Sequence, residues 1–548
     1  MSGNGIVSKI GFPGALDRRT VLRAGAVTAA AAALPVTAAA AAGPVFAHGV
    51  ASGDPLPDGV ILWTRVTVGP EAVPGSGAGD PAAVHWEIAE DSGFTGVVAA
   101  GSLTADAESD HTVKVDVRGL DPAHDYYYRF RALGATSAIG RTRTAPADSS
   151  SPARLRFGVV SCSNWEAGYF AAYRHLAARD DLDAVVHLGD YLYEYGAESA
   201  GGRGGAVRRH EPAHEIVVLA DYRIRHGQYK TDPDLMALHA RVPFVCTWDD
   251  HESANNAWSG GAENHDPATE GSWADRRAAS MRAYSEWMPV RIQFAAGETR
   301  IYRRLRFGTL AELSMLDLRS YRDRQPELGT RDGDDPARTM TGTRQMEWLT
   351  AGLVSGSARW QVVGNSVMIA PLAFPPLDPD TAAAVTAVFG IPREGFAPNT
   401  DQWDGYPADR RRLLQALTDR GVSDIVFLTG DIHSSWAADV PLEAARYPTG
   451  PTAGAEFVVP SVTSAGIGDL LPTPPRTGSV ALEDSVRALN PHIRYTEIDS
   501  HGYGVVEIVP DLVRMDWYYV ADITDAGTAV RLAAAWELPH GGRIRPAG

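Results

Sequence analysis

Five apolar runs in this chain each stop at a short cluster of side chains able to bind a cation. Arg156-Phe157-Gly158-Val159-Val160 stops at Ser161-Cys162-Ser163, and Asp183-Ala184-Val185-Val186-His187-Leu188 stops at Gly189-Asp190-Tyr191-Leu192-Tyr193. Val242 to Trp248 runs into Asp249-Asp250-His251-Glu252, Trp360 to Val363 into Gly364-Asn365-Ser366, and Asp424 to Leu428 into Gly430-Asp431-Ile432-His433. Runs of this length and composition read as buried strands, and the amphipathic segment 166–178 between the first two reads as a helix. In α/β sheets, sites form beyond the carboxyl ends of strands. One polar strand end means little, but five together point to a single site.

If the clusters converge, aspartates, a thiol, a phenol and an imidazole share one space, where they repel or titrate unless a cation holds them. Cys162, Asp190, Tyr193 and His433 combine a thiol with a phenol, which favours an electron-poor ion such as Fe(III) over zinc. Asp250, Asn365 and Asp431 offer hard oxygen ligands suited to calcium, magnesium or manganese. Which of Asp250 and Asn365 binds directly stays open, since asparagine also suits turns. Asp249 is expected to support Asp250 or cap the turn. A carboxylate shared by both ions, here Asp190, makes a clamp for a tetrahedral phosphate.

Cysteine is too scarce for a disulfide scaffold. Cys162 and Cys246 are the only two, and a bridge between them is the alternative to a metal-binding thiol. Cys246 lies inside an apolar run and reads as core. The formal charge of -17 argues against retention on nucleic acid or anionic lipid. With 44% apolar and 21% charged residues, the chain is globular in composition rather than disordered.

Residues 1–43 read as an export signal. Arg18-Arg19-Thr20-Val21-Leu22-Arg23 is a twin-arginine arrangement before an alanine-rich stretch, interrupted by Pro35 and ending in small residues at Ala40-Ala41-Ala42. Alanine contributes little to membrane insertion, so a retained span is not expected. The implied partner is the twin-arginine translocase, and the implied location is extracellular. From 44 to 147, short alternating runs such as Val60–Val66, Val84–Ile88, Thr112–Val117 and Tyr126–Arg131 suggest a β-sandwich. A Pro- and Ser-rich linker follows, and the α/β pattern occupies 154–548.

These residues carry a family resemblance. Gly189-Asp190-Tyr191-Leu192-Tyr193 resembles the Gly-Asp-x-x-Tyr motif of iron-containing purple acid phosphatases. Asp250-His251-Glu252 and Gly430-Asp431-Ile432-His433 resemble the Gly-Asn-His-Glu and Gly-His-x-His motifs of calcineurin-like metallophosphoesterases. Aspartates replace the asparagine and the first histidine, and Ser161-Cys162-Ser163 stands where Asp-x-His is usual. Those departures match the PhoD-like alkaline phosphatase/phosphodiesterase family, as do Gly49 to Pro55, Asp221-Tyr222-Arg223-Ile224-Arg225, Thr247 to Glu252 and His501-Gly502-Tyr503.

The resemblance implies an α/β fold: a four-layer αββα sandwich behind the N-terminal β-sandwich. It implies Fe(III) on Cys162, Asp190, Tyr193 and His433. One or two calcium ions would face Asp190, Asp431 and either Asp250 or Asn365. The expected reaction is hydrolysis of phosphate mono- and diesters by in-line attack of an activated hydroxide. Arg225, with Arg223, is a candidate phosphate clamp, against surface pairing with Asp221 or Asp232. His251 is a candidate proton donor to the leaving oxygen, against a supporting hydrogen-bond role. His501 and Tyr503 would line the substrate pocket or serve a turn.

Three other functions compete for these residues. Phospholipase D-type release of a lipid head group is the alternative at the same centre, because the resemblance extends to secreted actinomycete phospholipases. None of the sixteen histidines begins a His-x-Lys motif, so it would not be the usual chemistry of such enzymes. A serine hydrolase lacks its Gly-x-Ser-x-Gly elbow here. A secreted calcium-binding β-domain protein without catalysis leaves the thiol, phenol and imidazole unexplained.

Overall fold

The computed structural model describes residues 44–199, 205–295, 298–327, 334–372, 397–471 and 473–548. The export-signal expectation for 1–43 lies outside the described residues. Among them, no helix is long and apolar enough to cross a membrane.

Period-two alternation in the apolar runs decides the layering. In Leu155–Val160 and Ala184–His187, Phe157, Val159 and Val186 point to one core while Val160 and Val185 point to another. The first core lies between a ten-stranded and a seven-stranded sheet, where these residues meet Leu313, Met315, Val362, Val426, Leu428 and Phe457. The second core is the outer face of the ten-stranded sheet. It is covered by helices Ala171–Ala177, Leu219–Tyr229, Pro233–Arg241 and Trp273–Trp287. Helices Thr343–Ser355 and Pro407–Thr418 cover the outer face of the seven-stranded sheet over Val363, Ile425 and Phe427. The result is the four-layer αββα arrangement. Strands buried on both faces must be apolar throughout, which is why these runs were legible.

Leu155–Val160, Ala184–His187 and Phe244–Cys246 are adjacent and parallel in the first sheet. Ala311–Met315, Trp360–Asn365, Ile425–Thr429 and Thr452–Val458 are adjacent and parallel in the second. Parallel pairing puts all their carboxyl ends on one side.

The N-terminal segment divides between two sheets. Ala82–Ala89, Val97–Ala105, Asp125–Ala132, Ala135–Thr136 and Gly140–Arg143 form a separate five-stranded sheet. Val50–Leu56, Gly59–Arg65 and Thr112–Arg118 instead extend the ten-stranded sheet beyond Phe244–Cys246. The two pack face to face around Leu62, Val84, Val115, Tyr128 and Phe130, a sandwich sharing one sheet with the following region. Asp54 fastens that joint: its carboxylate accepts the Arg291 N–H at 2.6 Å and the Arg303 Nε–H at 2.8 Å.

One element is shorter than its periodicity suggested. The helix over 166–178 is observed only from Ala171 to Ala177. Glu166 is buried and accepts backbone N–H groups of Glu198 and His210, so the start of the segment serves a loop.

Candidate metal centre

The strand ends of the two sheets meet. A Cβ at Gly430 would come within 2.7 Å of Ser161, and one at Gly189 within 2.5 Å of Asp249. Both loops therefore need glycine before their aspartate. Four neighbouring residues hold left-handed backbone: Cys162 (φ 60°), Asp190 (53°), Asp431 (64°) and His433 (53°). Each such residue bearing a Cβ costs about 1–3 kcal/mol and persists only where surrounding structure over-determines it. Their coincidence at one spot marks it as functional.

Ligand atoms of Cys162, Asp190 and His433 lie within 4.8 Å of one another, as do those of Asp190, Asp250 and His251, and those of Asp249, Asp250 and Asp431. Asp190 and Asp250 thread the three groups into one centre. Tyr193 joins it: its hydroxyl donates to Asp190 Oδ2 at 2.9 Å and lies 3.2 Å from His433 Nε2. His433 Nδ1 sits 2.7 Å from the Ala465 carbonyl, a contact that places the proton there and turns Nε2 toward the cluster. Asp190 Oδ1 is buried with no hydrogen-bond partner among the described residues.

The electrostatics describe a centre short of positive charge. Burial pushes the Cys162 thiol well up, and the nearby Asp190 carboxylate adds to it. Burial likewise raises the Tyr193 phenol, helped by Asp190 and Cys162. The carboxyls of Asp190 and Asp431 are held well above the usual range, first by burial. Burial depresses the His433 imidazole to about 4. Every one of these shifts favours the neutral form; a cation among them reverses those of the thiol, the phenol and the carboxyls, and keeps His433 neutral, the form in which an imidazole binds metal.

A further set of side chains holds the loops. Glu252 accepts backbone N–H groups from Asp190 (3.1 Å), Tyr191 (2.7 Å) and Asp249 (2.8 Å), tying two strand ends together. Ser163 Oγ donates to the Tyr191 carbonyl at 3.0 Å and accepts from Tyr173, whose oxygen lies 3.0 Å from His187 Nε2. His251 Nδ1 is 2.7 Å from Glu194 Oε2, and its ring lies against Tyr193 with centroids 4.2 Å apart.

The structure brings Cys162, Asp190, Tyr193, Asp250, His251, Asp431 and His433 together. It does not bring Asn365. Its Oδ1 accepts from Trp403 Nε1 at 3.0 Å, and its amide donates to the Val367 carbonyl and Thr429, so both ends of the side chain are spent behind the centre. Arg225 is not at the centre either. It is buried, with its guanidinium on the backbone carbonyls of Tyr193, Glu211 and Pro212, where it braces the loop carrying Tyr193. Arg223 pairs with Glu286 of a neighbouring helix. Tyr503 stacks on Tyr518 in the outer core, 5.1 Å between centroids. His501 bonds Ser461 Oγ at 2.8 Å and Asp469 at 3.1 Å. Cys162 and Cys246 are both free and buried.

Residues missed from the sequence include Arg319, Asp401, Gln402 and Glu194, while Glu252 stood in its strand-end cluster without a role of its own. Arg319 belongs to a sixth strand end, Asp317-Leu318-Arg319-Ser320-Tyr321-Arg322, after Ala311–Met315. An Asp and two Arg directly after the apolar Leu313 to Leu316 were the available signal.

Two family models match the chain: PhoD-like phosphatase over residues 157–517, and the N-terminal domain of PhoD-like phosphatases over 29–146. Alkaline phosphatase D of Bacillus subtilis (strain 168) is 36% identical over 499 residues, covering 90% of this chain and 80% of that protein. The solved structure of PhoD superposes with a TM-score of 0.81 at 35% identity, over 92% of each chain. A purple acid phosphatase from yellow lupin (Lupinus luteus) seeds shares the fold at 12% identity, with a TM-score of 0.52 over 90% of this chain and 73% of that one.

Proposed function

The chain belongs to the PhoD-like phosphatase family and is a hydrolase of phosphoric esters, and on that premise we propose that it is an exported, metal-dependent enzyme acting on phosphate mono- and diesters. Fe(III) would be held by Cys162, Asp190, Tyr193 and His433. Calcium would be held by Asp190, Asp250 and Asp431. The observation that carries this reading is the orphaned Oδ1 of Asp190, buried among a thiol and further carboxylates that need positive charge and beside a neutral imidazole able to bind its source. A thiol and a phenol on one side match an electron-poor ion such as Fe(III), and the carboxylates on the other match a hard divalent ion such as calcium.

Bound cations supply Lewis-acid stabilisation of charge on the phosphoryl oxygens and lower the pKa of a water. The chain's own residues do the rest. Asp190 lies where both halves of the centre can share it. Glu194 holds His251 at Nδ1, leaving Nε2 to carry the proton for the leaving oxygen. Burial opposes an imidazolium at His251, but Asp250, Glu194 and Asp190 around it raise its pKa well above the ordinary value. The phosphate-clamp role expected of Arg225 and Arg223 has no support in their placement. A binding protein without catalysis does not fit membership of this enzyme family.

Elemental analysis of active protein, with a panel of a monoester, a diester and phosphatidylcholine, tests the reading. Iron, calcium, a visible charge-transfer band and turnover of the small esters are expected. Colourless, iron-free, fully active protein would sink the iron assignment, and dominant head-group release would transfer the function to the phospholipase D alternative. Export is tested with Arg18→Lys/Arg19→Lys, which should strand the precursor inside the cell.

A further inference from the structure

Arg319 sits inside the acidic half of the centre with each nitrogen of its guanidinium hydrogen-bonded to a carboxylate. Nε and Nη2 grip the two oxygens of Asp249, the Nη2 contact at 2.9 Å. Nη1 meets both oxygens of Asp401 at 3.0 and 2.8 Å, and Nη2 also reaches Asp431 Oδ1 at 3.2 Å. Asp250 Oδ2 is 3.7 Å away. Arg319 is 3% exposed, so these contacts stand largely in place of water. Asp401 is also paired with the buried Arg322 at 2.6 Å.

A five-donor fork held by three carboxylates through all three of its nitrogens is committed to them rather than to a substrate oxygen. It does what a divalent ion does for such a cluster, with a charge that cannot dissociate. The other carboxylates are less committed to it. Asp250 accepts the His251 and Asn256 backbone N–H groups at 2.9 and 2.6 Å, and Asp431 accepts from Gln402. The bidentate grip falls on Asp249.

We propose that Arg319 is a resident cation of the acidic half: it takes Asp249 and Asp401 out of competition for metal, so that only Asp250, Asp431 and the shared Asp190 remain for the exchangeable divalent ion. Arg319 is a positioning residue, acting through the carboxylates it holds. The inference rests on the calcium assignment above, and the test separates the two.

Calcium per chain is measured by equilibrium dialysis on the iron-loaded protein, alongside melting temperature with and without calcium. Arg319→Met should bind about one divalent ion more than the parent chain, through the freed Asp249 and Asp401. Its melting temperature should fall in chelator and recover in excess calcium. Adding Asp401→Asn to that variant should cancel the gain, while Asp401→Asn alone should leave the parent number unchanged. Arg319→Lys, which keeps the charge, should show no gain if the methionine variant fails to fold. An unchanged or lower calcium number in Arg319→Met would overturn the proposal, as would loss of calcium in Asp401→Asn or a gain in Arg319→Lys. A parent chain that binds no calcium would instead sink the calcium assignment.

Discussion

Two of the buried cations, Arg319 and Lys230, fare in opposite ways. Arg319 lies among Asp249, Asp250, Asp401 and Asp431; burial works against its charge, but those carboxylates hold it firmly protonated. Lys230 lies behind the Cys162 and Asp190 loops among Trp63, Tyr191 and His239, with its ammonium 2.9 Å from His239 Nε2 and no ion pair among the described residues. Burial alone pushes it down to about 7. Desolvation is common to both, so the counter-charge decides. The region around Arg319 supplies counter-charge and the region around Lys230 supplies none; burial, joined by the Lys230 ammonium itself, also depresses His48 and His187 nearby.

The sharpest challenge to that contrast removes the carboxylate on which the centre converges. Asp190→Asn should lower turnover by well over the roughly 10- to 100-fold typical of outer metal-site partners, with the fold intact by circular dichroism. Near-parental rates would mean that the acidic cluster is structural. Next, Arg319→Met should destabilise the metal-free chain by about 3–5 kcal/mol, because carboxylates are left buried and unpaired. Lys230→Met should be neutral or stabilising at pH 7 in the same denaturant titration. Equal losses would erase the distinction.

The pH dependence sharpens it further. The folded pKa of Lys230, about 7, lies below the unfolded value of 10.5, so the folded state binds fewer protons between them. Stability from this group therefore rises with pH from about 7 to 10.5 and is absent below that window. Lys230→Met should flatten that slope, and an unchanged slope would assign it elsewhere. The smallest effect is expected from Tyr173→Phe, which removes the hydrogen bonds to Ser163 and His187 behind the Cys162 loop. About 1 kcal/mol should be lost, read by chemical denaturation, with little change in turnover.

How much was legible depended on the kind of constraint. The doubly buried strands Leu155–Val160, Ala184–His187 and Ile425–Thr429 could be read directly, because burial on both faces demands continuous apolar sequence. The half-exposed strand Val97–Ala105 and the strands Ser435–Pro441 and Thr452–Val458 carry weaker patterns and were not foreseen. Cys162, Asp190, Asp431 and His433 were found because each directly follows an apolar run. Arg225 was misjudged because a conspicuous arginine in a polar segment looks the same whether it faces a substrate or three backbone carbonyls. Asn365 stands at the right strand end, yet Trp403 and Thr429 claim both ends of its amide.

The amino-acid order alone determined the parallel α/β architecture, the glycines before Asp190 and Asp431, and the kinds of ligand available, since these follow from local apolar patterning and side-chain chemistry. Only the tertiary structure decided which side chains face the centre and which brace it. That choice depends on partners such as Arg319 with Asp401, 82 residues apart in the chain, which meet only once two sheets have packed.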